Sequence, residues 1–222
     1  FDCPGMDDFV GNAYTALSVT DAGVVVVNSQ YGVEVGTQNI VRTAHKLNKP
    51  IVFALNKLDA ENVDYDNVVA QLKDVFGNKV IPIQFPVSTG QGFNSLVDVL
   101  IMKQLTWGPD GGQPTVSEIA PEHMDRATEM NQALVEMAAE NDEKLMDKFF
   151  EQGALSEDEM REGIRKGLID QSICPVFCVS AGKDMGVRRM MEFLGNVIPM
   201  PNEMPAPLNT EGQEVKPDAN GP

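Results

Sequence analysis

The chain has 222 residues and is acidic: 17 lysines and arginines stand against 33 aspartates and glutamates, a net charge of −16 and a sequence pI near 4.4. That balance argues against a DNA-binding protein, or any protein that grips nucleic-acid phosphates over its whole surface. The apolar share of 42% supplies one packed domain, or a domain with an insertion. No run reaches the roughly 18 apolar residues of a membrane span, and no signal peptide opens the chain. The expectation is a soluble, cytoplasmic protein in a reducing compartment. Cys3, Cys174 and Cys178 are too few and too badly placed for a disulfide framework. Cys174 and Cys178 would share one face of a strand and read as buried structural thiols rather than metal ligands. His45 and His123 have no partnering ligand pattern and read as structural or surface residues.

The chain opens on Phe-Asp-Cys-Pro-Gly, without an initiator Met or a leading strand-loop-helix, as though inside a larger fold. Residues 7–19 carry apolar side chains at roughly helical spacing. Residues 22–28 (AGVVVVN) are β-branched without interruption, which predicts a strand buried on both faces of a parallel sheet. Residues 36–47 read as a helix, 50–55 (PIVFAL) as a second buried strand, and 64–76 as an amphipathic helix stopped by Gly77. This alternation predicts an α/β fold, a doubly wound and mostly parallel sheet.

The rhythm then breaks. Residues 79–87 (KVIPIQFPV) predict one strand, placed at an edge by Pro82 and Pro86, and 96–107 another strand. Residues 108–114 (GPDGGQP) form a turn cluster. From 121 to 170 the chain is charged and helical, with breaks near Asn141 and Gly153, and Ser156 and Glu159 fit a capping box. A strand at 174–180 and a helix at about 185–197 restore the alternation. The segment 200–222, rich in Pro, Asn, Gly and Glu, reads as a linker or a fraying end.

Three short motifs carry chemistry. Asn56-Lys57-Leu58-Asp59 follows a buried strand and matches N-K-x-D. A carboxylate at Asp59 can accept from both N1–H and the 2-amino group of guanine, a pair of donors adenine lacks. The Lys57 stem can lie along a flat base with its ammonium in water, and Asn56 would tie the loop to its neighbours. Asp2-Cys3-Pro4-Gly5 matches D-x-P-G, in which the Asp supports Mg²⁺ through water and the Gly N–H reaches a γ-phosphate. Ser180-Ala181-Gly182-Lys183 ends the last strand, where a backbone N–H can donate to guanine O6; alone, it also fits an ordinary strand-to-helix turn. The order of the three, each at a strand end, points to a guanine-nucleotide site.

With NKLD, VIPIQFPV, FNSLVDVLIMKQLTW and CPVFCVSAGKDMGVRRMMEFLGNVIPMP in this order, the chain resembles the elongation factor G family over residues 1 to about 200. The resemblance implies a ribosomal translocase that binds GTP or GDP and Mg²⁺. It assigns Asn56, Lys57, Asp59, Ser180 and Ala181 to guanine, and Asp2 and Gly5 to switch II, with Asp2 on the metal side. Residues 1–76 and 173–199 then correspond to the GTPase domain, 77–172 to its inserted G-prime subdomain, and 200–222 to a linker toward a next domain. The phosphate-binding G-x-x-x-x-G-K-S/T loop and switch I are expected upstream of Phe1, so these 222 residues are expected to bind GTP weakly or not at all. The implied partners are ribosomal RNA and a basic stalk protein, the latter meeting the acidic helix near Glu157, Asp158, Glu159 and Glu162, which equally reads as a solvated helix start. The family's switch II reads D-T-P-G-H-x-D-F where this chain has DCPGMDDF, so Met6 holds the position of the catalytic His. A thioether cannot donate to an attacking water, which points to a divergent, slowly hydrolysing or non-hydrolysing factor unless a neighbouring group takes over. A ribosome protection factor is a third reading, disfavoured by the insert.

Overall fold

The two β-branched runs become β1 (Gly23–Asn28) and β2 (Ile51–Asn56). In the computed structural model, which describes residues 1–215, they pair in parallel from Gly23 against Ile51 to Asn28 against Asn56. α1 (Val10–Val19) precedes them and α2 (Val35–Lys46) connects them. α3 (Tyr65–Phe76) follows, N-capped by the Asp64 carboxylate, which accepts from the Asn67 N–H at 3.0 Å. β8 (Cys174–Cys178) pairs in parallel with β2 on one side and with β3 (Val80–Pro82) on the other, so the first sheet runs β1-β2-β8-β3. This is a mixed α/β fold around a parallel sheet.

β1 departs from the sequence expectation. Val25 and Val27 are buried, but Val24 is 41% and Val26 60% exposed. The strand lies at the sheet's edge, and among the described residues its second face is not covered. β2 and β8 are flanked by strands on both sides, and every β8 residue is buried.

The run at 79–87 forms two short strands, not one. β3 belongs to the parallel sheet, while β4 (Gln84–Pro86) starts a second sheet, antiparallel and ordered β4-β5-β6-β7. Each is an edge strand, as its proline requires. Residues 96–107 likewise form a hairpin, β5 (Ser95–Asp98) and β6 (Lys103–Thr106), in register from Ser95 against Thr106 to Asp98 against Lys103. Its turn was hidden because it holds neither Gly nor Pro; Met102 takes the left-handed conformation at φ 49°. β7 (Thr115–Ser117) completes the sheet.

The charged region is three helices, α4 (Pro121–Ala139), α5 (Glu143–Gln152) and α6 (Glu157–Ile169), broken where expected. The capping box is present: Ser156 Oγ accepts from the Glu159 N–H, and the Glu159 carboxylate accepts from the Ser156 N–H at 2.9 Å. α7 (Val187–Val197) closes the fold, its Phe193 ring edge-on to Phe177 of β8 at 4.9 Å. One apolar core runs through both sheets, from Phe53, Leu55 and Val176 to Phe85, Leu96 and Leu134.

A buried polar junction sits between the sheets. Gln84 Nε2 and Arg189 Nε both donate to Asp98 Oδ2 at 2.8 Å, and Gln84 Oε1 accepts from the Cys178 N–H at 3.1 Å. In the tail, Met204 is buried and Glu203 pairs with Arg165 at 3.3 Å, so this part of the expected linker packs on the domain. Its remainder, 216–222, lies outside the described residues.

Candidate functional site

β2 and β8 are parallel and pair Leu55 against Cys178, so the chain leaves both strands at the same end of the sheet. The segments that follow, 56–59 and 180–183, are therefore neighbours. In open α/β sheets this end is where ligands bind.

Asn56 joins them. Its Oδ1 accepts from the Lys57 N–H at 2.8 Å and from the Ala181 N–H at 3.0 Å. Closing both bonds requires Lys57 to turn back sharply, and it does so at φ 63°, a conformation that costs a side-chain-bearing residue about 1 kcal/mol or more. Leu58 is fully buried, and its N–H points to Val179 O at 3.4 Å. That anchor turns the next residue, Asp59, outward. The Ser180 hydroxyl, itself buried, donates to Asp59 Oδ1 at 2.6 Å, and Lys183 Nζ lies 3.7 Å from Oδ2. Ser180 and Met185 exchange backbone bonds of 2.9 and 3.1 Å, which close 180–185 into a compact loop.

The result is a half-exposed carboxylate oriented by a buried hydroxyl. Each carboxylate oxygen keeps capacity beyond the contact it makes, so Asp59 can accept two parallel N–H donors from a planar ligand edge. This pair of acceptors fits the N1–H and 2-amino edge of guanine. Five predicted residues, Asn56, Lys57, Asp59, Ser180 and Ala181, thus come together. Lys183 was not singled out in the sequence; it is marked there only by its place at the end of the loop motif.

Asp2 and Gly5 are not part of this hydrogen-bond network. They lie in the exposed segment before a short 3-10 turn, where Phe9 N–H bonds to Met6 O at 2.9 Å. Gly5 O approaches the start of α2, 3.9 Å from where a Cβ on Gly36 would lie. Met6 is 66% exposed. Among the described residues no group of three or more His, Cys, Asp and Glu side chains stands together as a metal cage.

The acids of α6 are largely committed within the chain. Glu157 pairs with Arg161 at 2.6 Å, Glu162 with Lys166 at 3.0 Å, and Glu159 with Lys148 of α5. The Lys148 hydrogen bond, helped by the two from Ser156, pulls Glu159 down to about 2. Asp142, held mainly by Lys166, is also lowered. Burial pushes the Cys174 thiol up to about 11 and Cys178 further still. Both are closed, structural thiols, as expected.

The protein-family model described as elongation factor Tu GTP binding domain matches residues 1–200. The fold is also similar to a crystal structure of ttk003000868 from Thermus thermophilus, with a TM-score of 0.83 and 28% sequence identity over 91% of this chain. The chain spans 30% of the length of that Thermus protein. None of the described helices is long and apolar enough to cross a membrane. Matched over nearly its whole length, the chain belongs to the elongation factor Tu-type GTP-binding domains of the translational GTPase family.

Proposed function

We propose that this chain is the guanine-reading part of an elongation factor G-like protein that binds GTP or GDP with Mg²⁺ and acts on the ribosome during translocation. The observation that carries the reading is the Asn56 bridge, which sets Asp59 and Ser180 side by side at the ends of β2 and β8. In this reading Asp59 accepts from the base, Lys57 lies along its face, and the 180–183 backbone meets O6. Asp2 and Gly5 serve the phosphate and metal side. Residues 77–172 are an inserted subdomain, tied into the main sheet by β3. The exposed Asp158, with its paired neighbours on α6, offers a face to a basic ribosomal protein. Cytoplasmic residence follows from the same role.

Substituting Asp59→Asn tests the base assignment. A carboxamide loses one acceptor for the 2-amino group and gains a donor suited to a 2-oxo group. NMR titration is expected to show guanosine binding weakened at least about tenfold and xanthosine binding strengthened. Equal affinities in the two proteins would overturn the reading.

A second reading, a GTP-binding ribosomal factor that hydrolyses slowly or not at all, is favoured by Met6. An exposed thioether offers no donor to position water. Met6→His, in the protein as it occurs in cells, is expected to raise ribosome-stimulated GTP turnover by about 10²–10⁴-fold. Normal multiple turnover, unchanged by the substitution, would overturn this reading.

A further inference from the structure

The second sheet reaches back to the two loops just described. After β4, Gly90 N–H donates to Leu58 O at 2.8 Å, Thr89 Oγ1 to Val63 O at 3.1 Å, and Gln91 Nε2 to Glu61 Oε1 at 2.9 Å. These bonds hold the segment that continues from Asp59. After β6, the glycine-rich turn at 108–113 holds the other loop. Gly112 N–H donates to Asp184 O at 2.9 Å, and Arg188 Nη1 to Gln113 Oε1 at 3.3 Å. The turn is itself pinned by the buried Trp107, whose indole N–H donates to Gly112 O at 3.0 Å.

The contact at Gly111 is closer still. Its φ is +68°, and a Cβ there would stand 1.8 Å from Lys183 O and 3.1 Å from Asp184 O. Only a residue without a side chain lets the turn lie against the loop backbone. The loop needs such support: Asp184 holds a left-handed φ of 49°, and conformations of this kind persist when surrounding contacts over-determine them.

We infer that the 108–113 turn, through Gly111, Gly112 and Trp107, is a positioning element for base recognition, presetting the 180–185 loop that would meet the 6-oxo group. The inference rests on the guanine reading above. It gives the second sheet a role at the nucleotide site although none of its side chains is assigned to the base. It also means that whatever displaces this sheet changes base affinity.

The test compares two nucleosides by NMR titration of the protein as it occurs in cells. Guanosine engages both loops. 6-Thioguanosine keeps both N1–H and the 2-amino group for Asp59 but presents a sulfur, a weak acceptor, in place of the 6-oxo group that the 180–183 backbone would meet. Gly111→Ala is expected to weaken guanosine about three- to tenfold, the size of one misplaced hydrogen bond, and to weaken 6-thioguanosine by a smaller factor. Trp107→Phe, which removes the indole N–H from the turn together with part of the buried ring, is expected to act in the same direction and decides the matter if Gly111→Ala does not fold. An unchanged guanosine affinity, or an equal loss for both nucleosides, overturns the inference alone. No guanosine binding by the unsubstituted protein overturns the guanine reading and this inference with it.

Discussion

At the scale of single residues, one side-chain oxygen organises the site: Asn56 Oδ1 takes N–H bonds from both loops. A residue with a shorter reach or no acceptor leaves two backbone donors unmatched. The same scale separates the cysteines. Cys174 and Cys178 are buried, and desolvation holds their thiols protonated, at about 11 for Cys174 and higher for Cys178. Because the thiolate is the nucleophile, iodoacetamide at pH 8 is expected to label Cys3 alone in the folded chain. Peptide mass spectrometry before and after urea checks this, and rapid native labelling of Cys174 would contradict it. The pairing of NKLD with SAGK was legible in the sequence because each closes a buried strand. The Lys183–Asp59 contact was not, since a distance across two loops has no local pattern.

At the scale of elements, α5 and α6 are joined by ion pairs of Lys148 with Glu159 and Lys166 with Asp142. Each carboxylate is held below its ordinary value, so its contribution is complete above that value and lost as pH falls. For Glu159 the window runs from 4.5 down to about 2. Lys166 is raised, mainly by its hydrogen bond to Asp142, so its share is lost only in strong alkali. Amide exchange in α6 is expected to quicken as pH drops through the Glu159 window, after correction for intrinsic rates. Glu159→Gln should flatten that change, because the amide can still accept from the Ser156 N–H but no longer titrates. A pH response identical to that of the unsubstituted chain would count against the Lys148 pair as its source. The capping box, with both reciprocal partners three residues apart, was fully readable from sequence. The β5–β6 turn was not, because it uses Met102 where a glycine would have announced it.

At the scale of the molecule, the two sheets share one core and one buried ionic junction. Burial works against the Arg189 charge, but Asp98 beside it more than compensates, leaving Arg189 above its ordinary value. Gln84 extends the junction to the backbone of β8, just before the loop that carries Ser180. Asp98→Asn leaves the buried Arg189 guanidinium with its pair to Glu192, at 3.2 Å, but without Asp98, and is expected to cost about 3 kcal/mol, read from urea unfolding. Replacing Asp98 and Arg189 together by leucine should recover much of that loss. A single substitution that leaves the unfolding midpoint unmoved would show that apolar packing alone joins the sheets.

The sequence by itself determined the alternation of buried strands and helices, and the two motifs that close β2 and β8 in their order, because these depend on composition and spacing within a few residues. It also placed both prolines of 79–87 at edges, since a missing N–H forbids a central position. The tertiary structure alone decided that this run divides between two sheets, and that β1 keeps one face of valines open. It alone decided that the turn at 108–113 lies against the loop at 180–185. Each of these depends on which distant segments become neighbours, and that is settled by how the core closes rather than by any local preference.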